Sequence, residues 1–465
     1  MKKSKTSLFQ KTVVIDVVGL STHLVGEFTP FLKQFLEKRN TILVAPMLPS
    51  VTTSTQSTYL TGEWPNKHGI VGNGWYDHED AEIKFWKQSN HLVESEKIWE
   101  RAKKIDPEFT CSQMFWWYNM YASADYSVTP RPQYHADGVK APDCYSNPPE
   151  LRDELQKELG QFPLFHFWGP NANIKSTQWI TDATLVVDKK YNPTLTLVYL
   201  PHLDYCLQKF GPNLTLIQKE LSEIDRVLKQ LIEYYEKQNT KIILLSEYGI
   251  TPVHHPIHIN RILRESGLVS VRKERWYELL DPGASKAFAV SDHQIAHIYC
   301  KDLSIQNQVK EILKNIQGID LVLDKKTQKR YHIDHKRSGD IVAVTNSDSW
   351  FTYYYWLDDK KAPDYARLVD IHRKPGYDPC EMFLDPKKAG VKLRVGLKLL
   401  RKKLGFRYLM DVIPLDAGLV KGSHGSIHEK KEFYPIFSAD KPYLKKEISA
   451  NKVYDLIWDQ MTSKI

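Results

Sequence analysis

The stretch that decides the fold runs from Leu48 to Asp77 and reads LPSVTTSTQSTYLTGEWPNKHGIVGNGWYD. It follows an apolar run, residues 41–47, that predicts a β-strand ending at a proline. The dense run of serine and threonine after Pro49 predicts a turn and then a helix that begins near Thr52. The unpaired N–H groups and the dipole of a helix start favour an anion there. Thr52 could therefore attack a phosphoryl group resting on those N–H groups, or it could serve only as a helix cap.

The composition predicts a globular protein without a nucleic-acid groove. The chain has 465 residues, of which 42% are hydrophobic and 26% charged, with a formal charge of +8. Short basic clusters, such as Arg401–Lys403 and Lys387–Lys388, are typical of solvated helix faces. Five scattered cysteines give no disulfide or zinc pattern and favour a reducing compartment. The sequence has no run that could span a bilayer and no recognisable signal peptide. We therefore expect a cytoplasmic protein without a transmembrane segment, and we expect no binding to nucleic acid.

Three apolar runs predict buried parallel strands with an acidic residue at or just beyond the carboxyl end. The run 12–19 contains Asp16, the run 194–200 precedes Asp204, and the run 241–245 precedes Glu247. A carboxylate at the end of a buried strand needs a metal, a cation or a cap to stabilise it. Ligands of open α/β sheets gather at the carboxyl ends of strands.

The order of the motifs resembles the alkaline phosphatase superfamily. It is closest to the branch of nucleotide pyrophosphatase/phosphodiesterases (type I phosphodiesterases) and phosphonoacetate hydrolases. The matching residues, in chain order, are Asp16, Pro49, Thr52, Thr61-Gly62, Pro65, His68-Gly69-Ile70, Asp204, Gly211-Pro212 and Gly422-Ser423-His424-Gly425. The resemblance implies an α/β fold: a doubly wound, mostly parallel sheet with helices on both faces, plus a small inserted cap.

The resemblance also implies two divalent metal ions, and the chain departs from the family's ligands at both. One metal would take the equivalents of Asp16, Thr52, Glu247 and Tyr248. The other would take those of Asp204, Gln208 and His424. Gln208 and Tyr248 stand where the family has histidine, and both are weak ligands for Zn²⁺. Mg²⁺ or Mn²⁺ bound through the carboxylates is therefore an alternative to zinc.

Other side chains are candidates by position. His293, His297 or His372 could replace the missing imidazoles. Thr55 could donate a hydrogen bond to a phosphate oxygen. Arg373, in a cationic loop, could hold the substrate or could only pair with a surface acid. The aromatic stretch 111–134 is more typical of a core than of a substrate wall.

The domain prediction divides the chain into three parts. Residues 1–270 form the first part of the core, with an aromatic and proline-rich insertion at about 105–180. Residues 271–338 form a small α/β cap. Residues 339–465 complete the core, with the strand at 340–344 resuming the main sheet.

The predicted function is a metal-dependent hydrolase of phosphodiester or pyrophosphate bonds in small phosphate-containing substrates. Thr52 would be the nucleophile and would form a phosphothreonine intermediate. Because two imidazoles are replaced, a non-hydrolytic ligand-binding or pathway accessory protein is the alternative. A phosphomutase that uses the same sheet fits the motifs less well.

Overall fold

The computed structural model describes residues 8–136, 138–387, 390–406, 408–443 and 445–462. Two sheets contain the following strands in chain order: β1 Thr12–Val17, β2 Asn40–Ala45, β3 Cys111–Met114, β4 Tyr126–Pro130, β5 Cys144–Asn147, β6 Leu195–Leu200, β7 Lys241–Leu245, β8 Ala287–Asp292, β9 Ile295–Cys300, β10 Ile319–Asp324, β11 Ile341–Thr345, β12 Ile436–Ala439 and β13 Glu447–Ser449. Five two-stranded pairs lie outside them: Gly74–Asp77 with Glu82–Phe85, Gln133–Tyr134 with Lys140–Ala141, Thr251–Pro252 with Gly422–Ser423, His255–Ile257 with Ser349–Phe351, and Val271–Glu274 with Tyr277–Leu280.

The α-helices are α1 Pro30–Glu37, α2 Thr52–Thr61, α3 Pro65–His68, α4 Ile98–Ile105, α5 Glu150–Leu159, α6 Ile174–Tyr191, α7 His202–Phe210, α8 Gln218–Glu236, α9 Ile259–Glu265, α10 Leu303–Lys314, α11 Lys325–Gln328, α12 Val391–Lys403 and α13 Lys452–Thr462. Short 3₁₀ turns lie at Thr22–Leu24, Asn90–Leu92, Leu164–His166, Lys329–Tyr331, Asp364–Arg367, Pro379–Met382, Ala417–Leu419 and Lys431–Phe433.

The large sheet has nine strands in the order β13-β2-β12-β7-β1-β6-β3-β4-β5. Its centre, from β7 through β1, β6 and β3 to β4, is parallel, and antiparallel pairs flank it. Asp16 on β1 lies beside Tyr199 of β6 and Leu245 of β7, so the carboxyl ends of the three central strands meet at one edge.

Helices cover both faces of this sheet, because successive side chains of its strands point to opposite sides. Val13 and Ile15 pack with α6 and α8 on one face. Val14 packs with α4 and α13 on the other face. The predicted doubly wound α/β fold is confirmed.

A second sheet, in the order β8-β9-β11-β10, has its own core with α9 and α10. The prediction that the strand near 340–344 resumes the main sheet was wrong, because β11 pairs antiparallel with β9 and β10. A five-residue apolar run shows that a strand is buried but not which sheet it joins. The chain returns to the large sheet at β12. The domain boundaries themselves stay a prediction.

No helix in the described ranges is long and apolar enough to cross a bilayer. All five cysteines are free thiols. Location in the cytoplasm stays a prediction.

Candidate active site

Thr52 is the first residue of α2 and lies at the carboxyl edge of the large sheet. The residue before it, Val51, occupies the cap position, and no side chain caps the helix. The reading of Thr52 as a helix cap was therefore wrong. Gly62 ends the helix in the left-handed conformation, as the Thr-Gly pattern predicts. The Thr52 side chain is buried, and its hydroxyl lies 3.1 Å from the Tyr248 hydroxyl, within hydrogen-bond distance.

Asp16 and Glu247 form one half of the site, which we call the carboxylate-pair half. Both side chains are fully buried, and the Gln56 amide group donates to Asp16 Oδ2 at 3.4 Å and to Glu247 Oε1. The amide is held in this orientation because its Oε1 accepts a 2.7 Å hydrogen bond from the backbone N–H of Trp117. Asp16 Oδ1 and Glu247 Oε2 receive no hydrogen bond from any residue that the structure describes.

Asp204, Gln208 and His424 form the other half, which we call the His424 half. Here the carboxylate has donors on both oxygens: Tyr248 donates to Asp204 Oδ1 at 3.2 Å and Gln208 to Asp204 Oδ2 at 2.8 Å. His424 Nε2 lies 3.8 Å from Asp204 Oδ1 and has no described hydrogen-bond partner. The Tyr248 and His424 rings stack with centroids 3.5 Å apart. The phenol therefore lies against the remaining imidazole and links Thr52 to Asp204.

Burial sets the electrostatics of both halves. It raises the pKa of Asp16 well above its usual range, and the neighbouring Glu247 carboxylate raises it further. Burial also raises the pKa of Glu247 and of Asp204 to about 7. Two adjacent buried carboxylates without a cation hold a shared proton, or they require a metal ion.

The two halves differ in how well their side chains suit a metal ion. In the described part of the chain, no three His, Cys, Asp or Glu side chains are arranged to hold a metal ion. The carboxylate-pair half nevertheless has two carboxylate oxygens without a hydrogen-bond donor among the described residues, which suits a hard ion such as Mg²⁺ or Mn²⁺. The His424 half does not fit zinc, because amide and phenol donors already satisfy its carboxylate.

The three candidate replacement histidines lie in different places. His293 stacks on Tyr377 at 3.6 Å and lies 3.9 Å from His424, ring centre to ring centre, so it reaches the site. His297 does not, because its two nitrogens bond the backbone at Val71 and Gly339. His372 lies in the wall of the cavity described below, next to Tyr134.

Thr55 and Arg373 are also placed by the structure. Thr55 is on α2, and its buried hydroxyl has no partner within the described ranges. Arg373 lines the cavity, but its guanidinium is half exposed and bonds Asp364 at 3.1 Å. Their proposed contacts with substrate stay predictions.

Sequence reasoning missed four side chains that hold the site together. Gln56 follows Thr52 by four residues, a spacing that places both on one helix face and was a usable signal. Asn73 bonds the Thr53 backbone at 3.2 Å and Asp292 at 3.1 Å, which joins α2 to the second sheet. Tyr377 donates to Gln208 at 2.7 Å. No sequence pattern around these last three residues predicts their hydrogen-bond partners.

A cavity of about 860 Å³ opens above Thr52. Thr52, Asp204, Tyr248 and His293 form its floor, while Asp16 and Glu247 lie beneath. Eight aromatic side chains line its walls: Trp86, Trp117, Tyr134, Phe165, Phe167, Trp168, Tyr205 and Tyr377. The stretch 111–134 thus serves both predicted roles, because Trp116 is in the core and Trp117 faces the cavity. The volume suits a nucleotide-sized ligand.

The model of one protein family, described as type I phosphodiesterase / nucleotide pyrophosphatase, matches residues 12–378. An uncharacterized pyrophosphatase/phosphodiesterase of Schizosaccharomyces pombe is 27% identical over 260 residues, which are 53% of this chain and 46% of the relative. Ectonucleotide pyrophosphatase/phosphodiesterase 1 of Saccharomyces cerevisiae is 23% identical over 342 residues, 66% of this chain and 41% of the relative. The chain thus spans less than half the length of these two relatives.

Two solved structures share the fold. An inactive variant of murine ectonucleotide pyrophosphatase/phosphodiesterase 5 in complex with AMP aligns with a TM-score of 0.59 at 16% identity, covering 97% of this chain and 94% of the other. Phosphonoacetate hydrolase of Sinorhizobium meliloti 1021 in complex with phosphonoformate aligns with a TM-score of 0.58 at 14% identity, covering 96% and 94%. With the motifs in order along the family model's match, the chain belongs to the type I phosphodiesterase / nucleotide pyrophosphatase family.

Proposed function

We propose that this protein hydrolyses phosphodiester or pyrophosphate bonds of small substrates, with Thr52 as the nucleophile. Family membership supports the reaction class. The murine relative of known structure, an inactive threonine-to-alanine variant with AMP bound, makes nucleotide esters the first substrates to test. The observation that carries the proposal is the continuous hydrogen-bond path from Thr52 through Tyr248 to Asp204 on the cavity floor.

The path gives Thr52 a route for its proton. Because the Tyr248 hydroxyl donates to Asp204, the Thr52 hydroxyl donates to Tyr248. Asp204, with a pKa of about 7, accepts a proton near neutral pH. Attack of Thr52 Oγ1 then forms the oxygen–phosphorus bond as the bond to the leaving oxygen breaks. Water hydrolyses the phosphothreonine in a second step and restores the hydroxyl.

A single divalent ion completes this chemistry. Asp16, Glu247 and Thr52 would hold it, and it would supply positive charge to the phosphoryl oxygens and the attacking oxygen. The reason is electrostatic: whenever these buried carboxyls are ionised, their charge opposes an anionic substrate, and a cation would offset it. The N-terminus of α2 offsets only part of this charge.

The cavity contributes binding and orientation. Its aromatic walls can stack a base or another planar leaving group. Two basic side chains in the described part of the lining are Lys140 and Arg373. They could contact a negatively charged group of the substrate other than the phosphoryl group that reacts. The proposed substrate is therefore a phosphoester with a planar or apolar group on one side.

The test is hydrolysis of bis(p-nitrophenyl) phosphate and of a dinucleoside pyrophosphate by the purified chain with Mg²⁺, Mn²⁺ or Zn²⁺. We expect turnover with Mg²⁺ or Mn²⁺, and we expect Thr52→Ala to lower it on the order of 10⁴-fold or more, since it removes the nucleophile. Thr61→Ala, at the far end of the same helix, is the matched control and keeps activity.

No turnover with any ion, together with tight binding of a nucleotide, would instead support the non-hydrolytic alternative. Full activity in Thr52→Ala would remove the nucleophile from the proposal.

A further inference from the structure

The helix α12 and the segment after it have an unusual surface. Seven of the large hydrophobic side chains that are exposed in the described chain lie in this one stretch: Leu393, Leu397, Leu399, Leu400, Leu404, Phe406 and Leu409. Globular proteins expose single apolar side chains widely, but a contiguous group indicates an interaction surface.

The same stretch is strongly basic. Between Pro386 and Met410 the sequence has no acidic residue and the following nine basic ones: Lys387, Lys388, Lys392, Arg394, Lys398, Arg401, Lys402, Lys403 and Arg407. Arg394 and Lys398 both pair with Asp411, which fixes the helix to the segment that follows it. Arg401 and Lys403 are exposed and have no acidic partner among the described residues.

Helical spacing separates these side chains into three faces. At about 100° per residue, Leu393, Leu397, Leu400 and Leu404 fall on one face. Arg394, Lys398 and Arg401 fall beside it. Val395 and Leu399 fall on a third side, where both line the active-site cavity. Leu393, Leu397, Leu400 and Leu404 are not in the cavity lining, and all four are exposed in the described structure.

We propose that this leucine face, flanked by its basic residues, docks the protein on an anionic membrane surface. An interfacial helix has this pattern: an apolar face that enters the boundary between headgroups and acyl chains, and basic side chains beside it that bind anionic headgroups. The helix lies on the bilayer and does not cross it, consistent with the absence of a spanning helix in the described ranges.

Charge distinguishes this partner from two others. A second copy of the chain would bring an equally basic helix against the first, with nothing acidic within the stretch to compensate. A nucleic acid would satisfy the basic side chains but would leave the leucine face in water. An anionic bilayer satisfies both.

Docking would place the cavity mouth at the bilayer. Three side chains that line the cavity are also about half exposed to solvent: Leu409, Phe165 and Tyr134. The apolar surface therefore continues from the leucine face to the rim of the cavity. The docking does not depend on the proposed hydrolysis, so its test does not use activity.

The experiment is co-sedimentation of the full chain with vesicles of phosphatidylcholine alone or of phosphatidylcholine mixed with phosphatidylglycerol. We expect binding to the mixed vesicles only, and weaker binding as salt is added. The triple variant Leu393→Ser, Leu397→Ser, Leu400→Ser is expected to bind at least tenfold more weakly. Reversing two charges, Arg401→Glu with Lys403→Glu, is expected to cost about fivefold or more per charge.

Matched controls are available elsewhere on the surface. One control is the triple variant Leu216→Ser, Leu303→Ser, Leu357→Ser. These leucines are 59%, 74% and 50% exposed, close to the 70%, 55% and 52% of Leu393, Leu397 and Leu400. Lys157→Glu with Lys237→Glu changes net charge equally at two exposed lysines. Both controls should bind as the unchanged protein does.

Three results would overturn the proposal. One is no binding of the unchanged chain to anionic vesicles. Another is equal binding by the leucine variant and its control. The third is a dimer, measured by analytical ultracentrifugation, that the leucine substitutions dissociate while vesicle binding is absent.

Discussion

The two halves of the site differ in how their carboxylates are satisfied. In the carboxylate-pair half, Asp16 and Glu247 share one amide donor group and keep two oxygens bare. In the His424 half, Asp204 receives a donor on each oxygen. The halves lie on the same sheet edge and face the same threonine, yet one leaves a carboxylate oxygen of each acid without a donor among the described residues and the other gives each oxygen a donor.

This difference shows which side chains stand in the places where the resemblance implies imidazole ligands. Tyr248 and Gln208 stand where the resemblance implies one histidine in each of the two metal sites, and here both side chains donate hydrogen bonds to Asp204 in the His424 half. In the carboxylate-pair half no donor replaces the cation, because Gln56 reaches only one oxygen of each acid. Dependence on metal is thus expected to persist in one half and to be lost in the other.

The largest expected effect separates the halves by activity. Asp16→Asn with Glu247→Gln should lower turnover on the order of 10³-fold and end its response to Mg²⁺ or Mn²⁺, because the ion's ligands are gone. Asp204→Asn should lower it about 10²-fold, the lower end for a lost proton acceptor, and leave the ion response intact. Asp225→Asn, a buried carboxylate away from the cavity, is the control. Equal ion responses in both variants would contradict the asymmetry.

A second experiment makes the halves alike. Gln208→His with Tyr248→His restores the family's imidazoles, so zinc affinity should rise at least 10–100-fold, the range seen even for changes around a metal's ligands. Metal content after dialysis, measured by mass spectrometry, checks this.

The control for that experiment is Gln208→Asn with Tyr248→Phe, which breaks the same hydrogen bonds without adding an imidazole. If the control gains zinc equally, the hydrogen bonds and not the ligand types kept zinc out.

The smallest effect is on stability and pH. The pKa of Glu247 is raised by burial from 4.5 to about 7 in the folded chain. Without divalent ions, the free energy of unfolding should therefore fall as pH rises from about 4.5 to above 7, since folding then buries an ionised carboxylate. The Glu247 share is on the order of 3 kcal/mol at pH 8.

Urea denaturation at pH 5 and pH 8 measures this loss. Added Mg²⁺ should reverse it in the unchanged chain and in Asp204→Asn, whereas Asp16→Asn with Glu247→Gln should lack the Glu247 share of the loss and show no response to Mg²⁺. A loss that Mg²⁺ does not reverse in any variant would contradict a cation at the carboxylate pair.

The sequence predicted the fold and the positions that converge on the site. Asp16 stands out as an acid within an apolar strand, whereas Asp204 and Glu247 are identified from the resemblance, and all three lie where the carboxyl ends of parallel strands meet. Thr52 follows from a helix that begins directly after a strand. The assignment of roles to these residues rests on the resemblance and stays proposed.

The hydrogen-bond partners could not be predicted in the same way. Tyr377 reaches Gln208 across 169 positions of the chain, and Asn73 reaches Asp292 across 219, so only tertiary packing brings them together. His297 illustrates the opposite error: its residue type suits a metal, but two backbone groups occupy its nitrogens.

The bond from the Trp117 backbone to Gln56 ties the aromatic wall to the acids beneath the floor. If a ligand displaces Trp117, the Gln56 amide loses the group that holds its oxygen outward and becomes free to rotate. Rotated by half a turn, it would present an oxygen to the acids and become a further ligand for a cation. In that case, a ligand bound against the aromatic wall would increase the affinity of the two acids for the ion.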